Sequence, residues 1–592
     1  MPDFEIILVS IVIIFILVSL YFEIIRAGFT FLIGVAILTV FNILTPQEML
    51  SGVANEQVAV IMLLLLIGNI IKETGILDVF FDRIFRSTKT YKGFMARIMI
   101  LIAPLSAFLN NTPLVAILMP YAHNWAKKRK VPISKLLMPL SFTAILGGCA
   151  TLIGTSTNLI VNGLVVEQTI IPNLPELQIF DFAAVGVPMI IIGFLYMFFF
   201  GQKLLPTKMG IDDEFETNTR KYVIEAQIRK NSGLEGKTIT EAKLRNLQDL
   251  YLSQIIRKGS ILSAVPYDTV LKEGDILLFA GNTDAIVNLI KENPALEVPN
   301  TEIFTRKKNL DLIEIVISEN SKICHKTLKT ENFRAKYEAT AIAVHRNGEK
   351  ISGKLGAVRL RAGDALILLA GKHFKELSVN TKDFFIISKP TEIRKIGIFK
   401  IIVLIGGTIL SILLAALGVV KLFIALVLFM SLLLILKITT PKKLAKGIDY
   451  DLGFIIAMSL ALGLAMMKTG FAEIISNIIS QVFMPLGLVG MLGGIYVITA
   501  LFAAFITNKA AVAIILPISL AMSKYLDYPT MPFILVVAFA AAANFMTPIG
   551  YQTNTMVYGP GGYKFRDFLK VGTPLTIIYG IVTVTILRLF YF

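Results

Sequence analysis

Ser106-Ala-Phe-Leu-Asn110-Asn111-Thr112-Pro113-Leu-Val-Ala-Ile-Leu-Met-Pro120 is a polar break inside a long apolar run. Backbone that leaves the helix at membrane depth is tolerated only where it lines a protein-enclosed or wet cavity. The break recurs near the other end of the chain as Ala503-Ala-Phe-Ile-Thr507-Asn508-Lys509-Ala-Ala-Val-Ala-Ile-Ile-Leu-Pro517, and Asn111 to Pro120 has the same spacing as Asn508 to Pro517. The flanking residues repeat in the same order. Thr74-Gly75 precedes the first break and Thr469-Gly470 the second. Gly154-Thr155-Ser156-Thr157-Asn158 is answered by Gly550-Tyr551-Gln552-Thr553-Asn554, and Asp181-Phe182 with Val185-Gly186-Val187-Pro188 by Asp567-Phe568 with Val571-Gly572-Thr573-Pro574. A duplicated membrane unit with interrupted helices at matching positions points to a secondary transporter whose site lies where the repeats meet.

Composition supports that class. With 55% hydrophobic and 17% charged residues, the chain is far too apolar for an ordinary soluble protein. A net charge of +16 would suggest a nucleic-acid partner in a soluble protein, but here the basic residues cluster in particular loops, as the positive-inside rule demands. No nucleic-acid partner is expected. Met1 to Glu5 lack the basic leading region of a signal peptide, so Ile6 to Tyr21 is expected to remain as a membrane helix. Cys149 and Cys324 fall in different regions and imply neither a disulfide framework nor a metal cluster. His123, His325, His345 and His373 lack metal-ligand spacing and read as ordinary surface histidines.

Apolar spans run from about Phe4 to Tyr21, Ala27 to Leu44 and Gln57 to Ile71, followed by the interrupted run from Gly93 to Trp125. Arg83, Arg86, Lys89 and Lys92 precede that run, and Lys127 to Lys130 follow it. Both its ends are then cytoplasmic, which predicts a re-entrant hairpin. Lys135 to Val165 crosses outward and Phe182 to Phe200 returns. In the second half, the loop holding Lys437, Lys442, Lys443 and Lys446 is cytoplasmic, so the hairpin around Asn508 enters from outside. The count is ten crossings and two hairpins, five and one per half, and an odd number per half makes the repeat inverted.

Between the halves, charge density rises and apolar runs shorten to strand length. This insert is itself duplicated. Asn231-Ser232 through Lys237-Thr238 matches Asn320-Ser321 through Lys326-Thr327, and both copies close on a Gly-Asp turn before a buried strand, at Gly274-Asp275 and Gly363-Asp364. The expected organisation is a first transmembrane repeat at 1–208, two α+β domains at 209–298 and 299–395, and a second transmembrane repeat at 396–592. Residues 209–395 are expected in the cytoplasm and the rest as a multi-pass protein of the cell membrane. Ser232 to Thr238 superficially resembles a phosphate-binding Walker loop, but Asn231 stands at the required glycine and the second copy has no glycine there. The Lys-Thr pair is read as opening a structural turn.

The two tips and two breaks offer Asn, Thr, Ser, Gly and freed backbone, with no carboxylate at any of the four. That suits an anion held by helix N-termini, with Asn and Ser oxygens available to a sodium ion. Paired Ser-Asn-Thr-like tips, Asn110-Asn111-Thr112 and Thr507-Asn508-Lys509, and paired Gly-x-x-Thr-Asn breaks make the chain resemble the divalent anion:sodium symporter family, within the ion transporter superfamily, and its sulfate-transporter-like permeases in particular. The resemblance covers both membrane halves and implies an elevator-like motion of the hairpin domain. By that resemblance a first sodium site uses Ser106, Asn110, Asn111 and the backbone around Gly154, with Thr112 and Thr155 nearer the anion. A second would use Thr507, Asn508 and the backbone around Gly550, although Ala503 stands where a hydroxyl is usual and Lys509 replaces the tip threonine. Asn111, Thr112, Thr155, Asn158, Asn508, Lys509 and Asn554 are the candidate anion ligands. Tyr551 and Gln552 replace the small residues usual in the second break.

The insert, from about Tyr222 to Lys389, resembles a tandem pair of the C-terminal ligand-sensing domains of regulators of potassium conductance (RCK-C-like domains), which implies a homodimer and a small regulatory ligand. The expected protein is a helical membrane transporter of a small divalent anion, sulfate or a dicarboxylate, coupled to sodium or protons and without an organic cofactor. It carries no catalytic constellation and is not read as an enzyme. The alternative, a cation channel or cation-uptake subunit gated by the insert, is weaker because no Thr-Val-Gly-Tyr-Gly-type filter is present.

Overall fold

The computed structural model describes residues 2–592 except 23, 75–80, 82–83, 85–87, 89, 169–170, 173, 209–222, 230–231, 245–246, 248–249, 258–259, 264, 267, 282–288, 290–292, 294, 298–311, 320, 347–348, 352–354, 372, 379–380, 382, 388–397 and 449. The expected domain limits at 209, 298–299 and 395–396, together with Gly75, Asn231 and Asn320, lie outside the described residues.

The long apolar runs form helices. In the first half these are α1 (Pro2–Tyr21), α2 (Ala27–Val40), α3 (Glu56–Glu73), the hairpin arms α4 (Tyr91–Phe108) and α5 (Asn111–Arg129), α6 (Leu137–Gly148), α7 (Ser156–Glu167) and α8 (Ala183–Tyr196). The second half has α9 (Ile398–Ala416), α10 (Leu422–Ile435), α11 (Tyr450–Lys468), α12 (Phe471–Phe483), the hairpin arms α13 (Gly487–Phe505) and α14 (Asn508–Tyr525), α15 (Thr530–Ala542), α16 (Gln552–Tyr558) and α17 (Phe565–Tyr591). Among the described residues, 8 helical runs are long and apolar enough to cross a membrane, and shorter apolar helices accompany them.

Every residue of α6 is buried, as is every residue of α15 from Pro532 to Ala542. A helix apolar on all sides belongs at the centre of the packing. Around this centre, α1, α9, α10 and α17 expose Ile11, Ile402, Leu428 and Ile581, as helices facing lipid do. Lipid supplies no hydrophobic drive between helices, so close backbone packing has to hold them. Glycine permits it at matching places. A Cβ on Gly186 would come within 2.5 Å of Ala150 Cα beside the first break, and one on Gly572 would overlap the Phe545 carbonyl beside the second.

The insert folds as two five-stranded antiparallel sheets. The first contains β1 (Val223–Ile228), β2 (Leu250–Arg257), β3 (Ser260–Ser263), β4 (Ile276–Gly281) and β5 (Leu296–Glu297), ordered β3-β2-β4-β1-β5. The second contains β6 (Leu312–Ile317), β7 (Ala339–Arg346), β8 (Glu349–Lys350), β9 (Ala365–Ala370) and β10 (Phe384–Ile386), ordered β10-β6-β9-β7-β8. Read from the opposite edge, the two orders are the same. Registers agree as well: Glu225 pairs with Leu278 and Glu314 with Ile367, and β2 and β7 both carry a register shift. Arg257 grips Asp275 at 2.7 Å and Arg346 grips Asp364 at 2.6 Å, tying each strand to the Gly-Asp turn. Thr238 and Thr327 sit in bridged turns, Thr238↔Val270 and Thr327↔Arg359.

Two of the four histidines depart from the expectation of ordinary surface residues, while His325 and His373 are exposed. His123 on α5 is 2% exposed and lies 3.6 Å from Glu314 Oε2 on β6, while His345 is 4% exposed within β7. Their burial comes from packing between segments far apart in the chain, which ligand spacing does not register.

Candidate functional site

Each hairpin turns at a residue that caps the second arm. Asn110 accepts a hydrogen bond from Thr112 N (3.2 Å) and opens α5, while Thr507 accepts from Ala510 N (3.2 Å) and opens α14. Such caps satisfy part of the first turn, so a helix can begin inside an apolar layer.

The breaks are built alike in both halves. Gly154 N donates to Thr151 Oγ1 at 3.1 Å and Gly550 N to Thr547 Oγ1 at 3.0 Å. Thr151 in turn donates to the Ala107 carbonyl of the first hairpin, and Thr547 to the Ala504 carbonyl of the second (2.7 Å). Asn158 Nδ2 reaches back to Thr151 O at 2.9 Å, and Asn554 Nδ2 to Thr547 O at 3.1 Å and Asn544 O at 3.0 Å. Each half therefore ties its own break to its own hairpin. The amides of Asn158 and Asn554 brace the breaks from within; Asn158 Oδ1 has no hydrogen-bond partner among the described residues, and Asn554 Oδ1 accepts from Ser141 at 2.7 Å.

Three hydrogen bonds between the halves meet beside the first tip. Asn111 Nδ2 donates to the Tyr551 hydroxyl at 2.7 Å, which lies 3.0 Å from Thr155 Oγ1, and Thr112 Oγ1 donates to Gln552 Oε1 at 2.9 Å. Three donor-capable side chains of the first half thus face two oxygens of the second. Around the same junction, Tyr563 donates to Ser134 O (2.6 Å) and accepts from Met138 N (2.8 Å), fixing the loop after α16 to the start of α6.

Ser106 is fully buried on the last turn of α4, with its hydroxyl 2.5 Å from Asn111 Oδ1 and 2.7 Å from Ala144 O. A Cβ on Gly154 would fall 2.6 Å from Gly148 O and 3.0 Å from Ala107 O, so carbonyls crowd the break beside Ser106 and Asn111. This neutral, all-oxygen donor set fits a small monovalent cation.

The second half is arranged differently. Ala503 is buried and has no side-chain oxygen to offer, and Asn508 Oδ1 is a buried atom without a hydrogen-bond partner among the described residues. Asn544, at the position of Gly148, is 2% exposed with both side-chain polar atoms unpartnered, and a Cβ on Gly550 would overlap its amide. Lys509 is half-buried and makes no hydrogen bond or ion pair with any described residue.

Sequence reading alone passes over several participants. Thr151 and Thr547 carry a signal, since both stand at the same distance before the break glycine. Tyr551 and Gln552 are visible only as departures from small residues, and Asn544 only as the counterpart of Gly148.

A family model described as "Citrate transporter" matches residues 11–494 and 403–592. An uncharacterized transporter of Synechocystis sp. is 32% identical over 100% of this chain and 98% of its own length. The uncharacterized transporter YfbS of Escherichia coli is 26% identical over 93% of each chain. Sodium/sulfate cotransporter 1 of Chlamydomonas reinhardtii is 23% identical over 93% of this chain and 86% of its own. With these matches and its many apolar helices, the chain belongs to the citrate transporter family and is a multi-pass membrane transporter rather than an enzyme.

Proposed function

We propose that the protein is a secondary symporter of a small divalent oxyanion, with sulfate the first substrate and a dicarboxylate the second. The observation that carries this reading is the junction where Asn111, Thr112 and Thr155 meet Tyr551 and Gln552 with no carboxylate among them. Hydroxyl and amide groups in a site shielded from water hold an anion strongly, and none adds a negative charge to repel it. Tyr551 and Gln552 have donors of their own and can turn from their present partners to the anion. The name of the Chlamydomonas cotransporter supports sulfate and sodium.

Ser106, Asn111 and the carbonyls around Gly154 are the proposed sodium ligands, with Asn110 fixing the tip; sodium supplies positive charge next to the anion. Thr507, Asn508 and Gly550 form the weaker second candidate. The two halves are proposed as inverted repeats, with residues 209–395 cytoplasmic, the protein dimeric and the insert responsive to a small ligand. Proteoliposome uptake of labelled sulfate, with and without a sodium gradient, tests the reading. Sodium-stimulated sulfate uptake that succinate inhibits is expected; potassium flux that requires no anion would sink it.

A further inference from the structure

The second sheet of the insert is docked on the two helices whose N-terminal ends meet at the polar junction. The turn before β9 lies against α16: a Cβ on Gly363 would come within 3.0 Å of the Thr555 carbonyl oxygen and 3.1 Å of its methyl group. A Cβ on Gly559, just past α16, would overlap the Gly363 carbonyl and approach Ala365 Cβ to 3.1 Å. Gly363 also has φ +81°, which side chains resist, so both the turn and the close approach call for glycine. Nearby, Lys564 Nζ lies 2.7 Å from Glu349 Oε1 on β8. On the other helix, His123 of α5 meets Glu314 of β6 in a buried contact of 3.6 Å. Val316 and Ala365 of the same sheet share one buried apolar cluster with Met119 and Ala126 of α5 and with Val557 of α16.

The far ends of these helices carry the junction. Asn111 and Thr112 open α5, and Tyr551 and Gln552 open α16. His123 stands ~18 Å along α5 from Asn111 at the usual helical rise, on one continuous helix. One sheet therefore holds two helices at a spacing that their other ends express as the distance between Asn111 and Tyr551. The first sheet is built the same way, yet its corresponding glycine, Gly274 (φ +75°), has nothing within 4 Å of the place a Cβ would occupy.

We propose that the second insert sheet is a positioning clamp for the anion junction: it sets the spacing of α5 and α16 and travels with the hairpin domain. A ligand that reshapes this insert domain then changes anion affinity by moving α16. The affinity statement rests on the anion-symporter reading; the mechanical coupling does not.

Gly363→Ala and Gly274→Ala form the test pair, since both place a side chain at positive φ but only the first presses on α16. Hydrogen exchange of residues 551–558 and the KM for sulfate uptake are measured in the full chain. Gly363→Ala is expected to speed exchange there and raise KM by about tenfold with little change in maximal rate, while Gly274→Ala changes neither. Equal responses from the pair, or no response to Gly363→Ala, would overturn the clamp. If wild type takes up no sulfate but the exchange difference persists, the substrate reading fails and the clamp stands. A second arm keeps the proposal testable if Gly363→Ala misfolds. Glu349→Cys with Lys564→Cys, in a Cys324→Ser background with buried Cys149 left in place, is bridged by a short bifunctional thiol reagent that a reductant cleaves. Retained uptake is expected from parts that move together; loss of uptake that the reductant restores would show that the sheet and hairpin domain must separate.

Discussion

The two hairpins are capped at the same position and tied to their breaks in the same way, yet their polar interiors differ in placement. In the first half the side-chain oxygen is on the hairpin arm, at Ser106, and α6 ends on Gly148; in the second the arm has Ala503, and Asn544 stands just past the end of α15. Asn111 is fully engaged, by Ser106 and Tyr551, whereas Asn508 Oδ1 and both polar atoms of Asn544 have no partner. The same local scaffold is thus built in both halves while their polar interiors differ. An unpartnered buried polar atom costs roughly 1–3 kcal/mol; among the described residues at tip and break, the first half leaves Asn158 Oδ1 without a partner and the second leaves three such atoms, on Asn508 and Asn544, so binding has more to offset in the second half.

The largest effect should come from the engaged side. Asn111→Ala removes a partner from both Ser106 and Tyr551 and leaves their hydroxyls less well satisfied, so a loss in sulfate uptake of about 100-fold is expected. Tyr551→Phe removes the hydroxyl shared by Asn111 and Thr155 and should weaken uptake roughly tenfold. Because the pair is in contact, the double variant should be little worse than Asn111→Ala alone. Additive losses in the cycle would separate the two residues and break the view of a single junction across the halves.

Asn544→Gly makes the second break resemble the first. Removing an unsatisfied buried amide should leave the melting temperature in detergent unchanged or higher, while uptake falls by about tenfold if the amide serves a bound species. A lower melting temperature with normal uptake would make Asn544 a packing residue, and the asymmetry between the halves would lose its functional meaning.

Lys509 sharpens the comparison further. An ammonium at membrane depth costs about 3 kcal/mol on insertion scales, and it repels a sodium ion ~4 Å away by about 4 kcal/mol at an effective dielectric constant near 20. The two are incompatible in one small cavity, so at most one sodium, at the first site, is expected. Lys509→Thr should weaken sulfate affinity several-fold, by roughly 1 kcal/mol. Lys509→Thr with Ala503→Thr should make uptake steeper in sodium. An unchanged sodium profile in both would place Lys509 outside the site, its charge reaching toward external water.

Positions of the breaks and the matching order of motifs in the two halves were legible because polar residues inside apolar runs are rare and recur at the same spacing. The matched spacing also marked which residues correspond, such as Asn158 with Asn554. It could not mark which residues face each other across the halves. Tyr551 and Gln552 looked like departures from the small residues expected there, yet their length lets them reach Asn111 and Thr112. The contact of His123 with Glu314, and the seat of Gly363 on α16, join segments whose proximity depends on how the insert docks. No local pattern encodes that.

The insert copies offer the last comparison, with the smallest expected effect. His345 of β7 occupies the position held by Ile256 in β2, and both side chains are buried. Burial, helped by the neighbouring charge of Lys350, pushes the His345 pKa down from 6.5 to about 4. The unfolded chain thus binds a proton between pH 6.5 and about 4 that the folded sheet refuses, and stability falls as pH drops through that window. Above pH 6.5 the stability is fully present; the loss approaches about 3 kcal/mol near pH 4. The first sheet has no such group at this place. Thermal unfolding followed by hydrogen exchange in the full chain should therefore show β6 to β9 loosening before β1 to β4 as pH falls from about 7 to about 5. His345→Ile, which copies the first sheet, should remove the difference. If the two sheets loosen together in wild type, or the variant keeps the pH dependence, the asymmetry arises elsewhere than at this histidine.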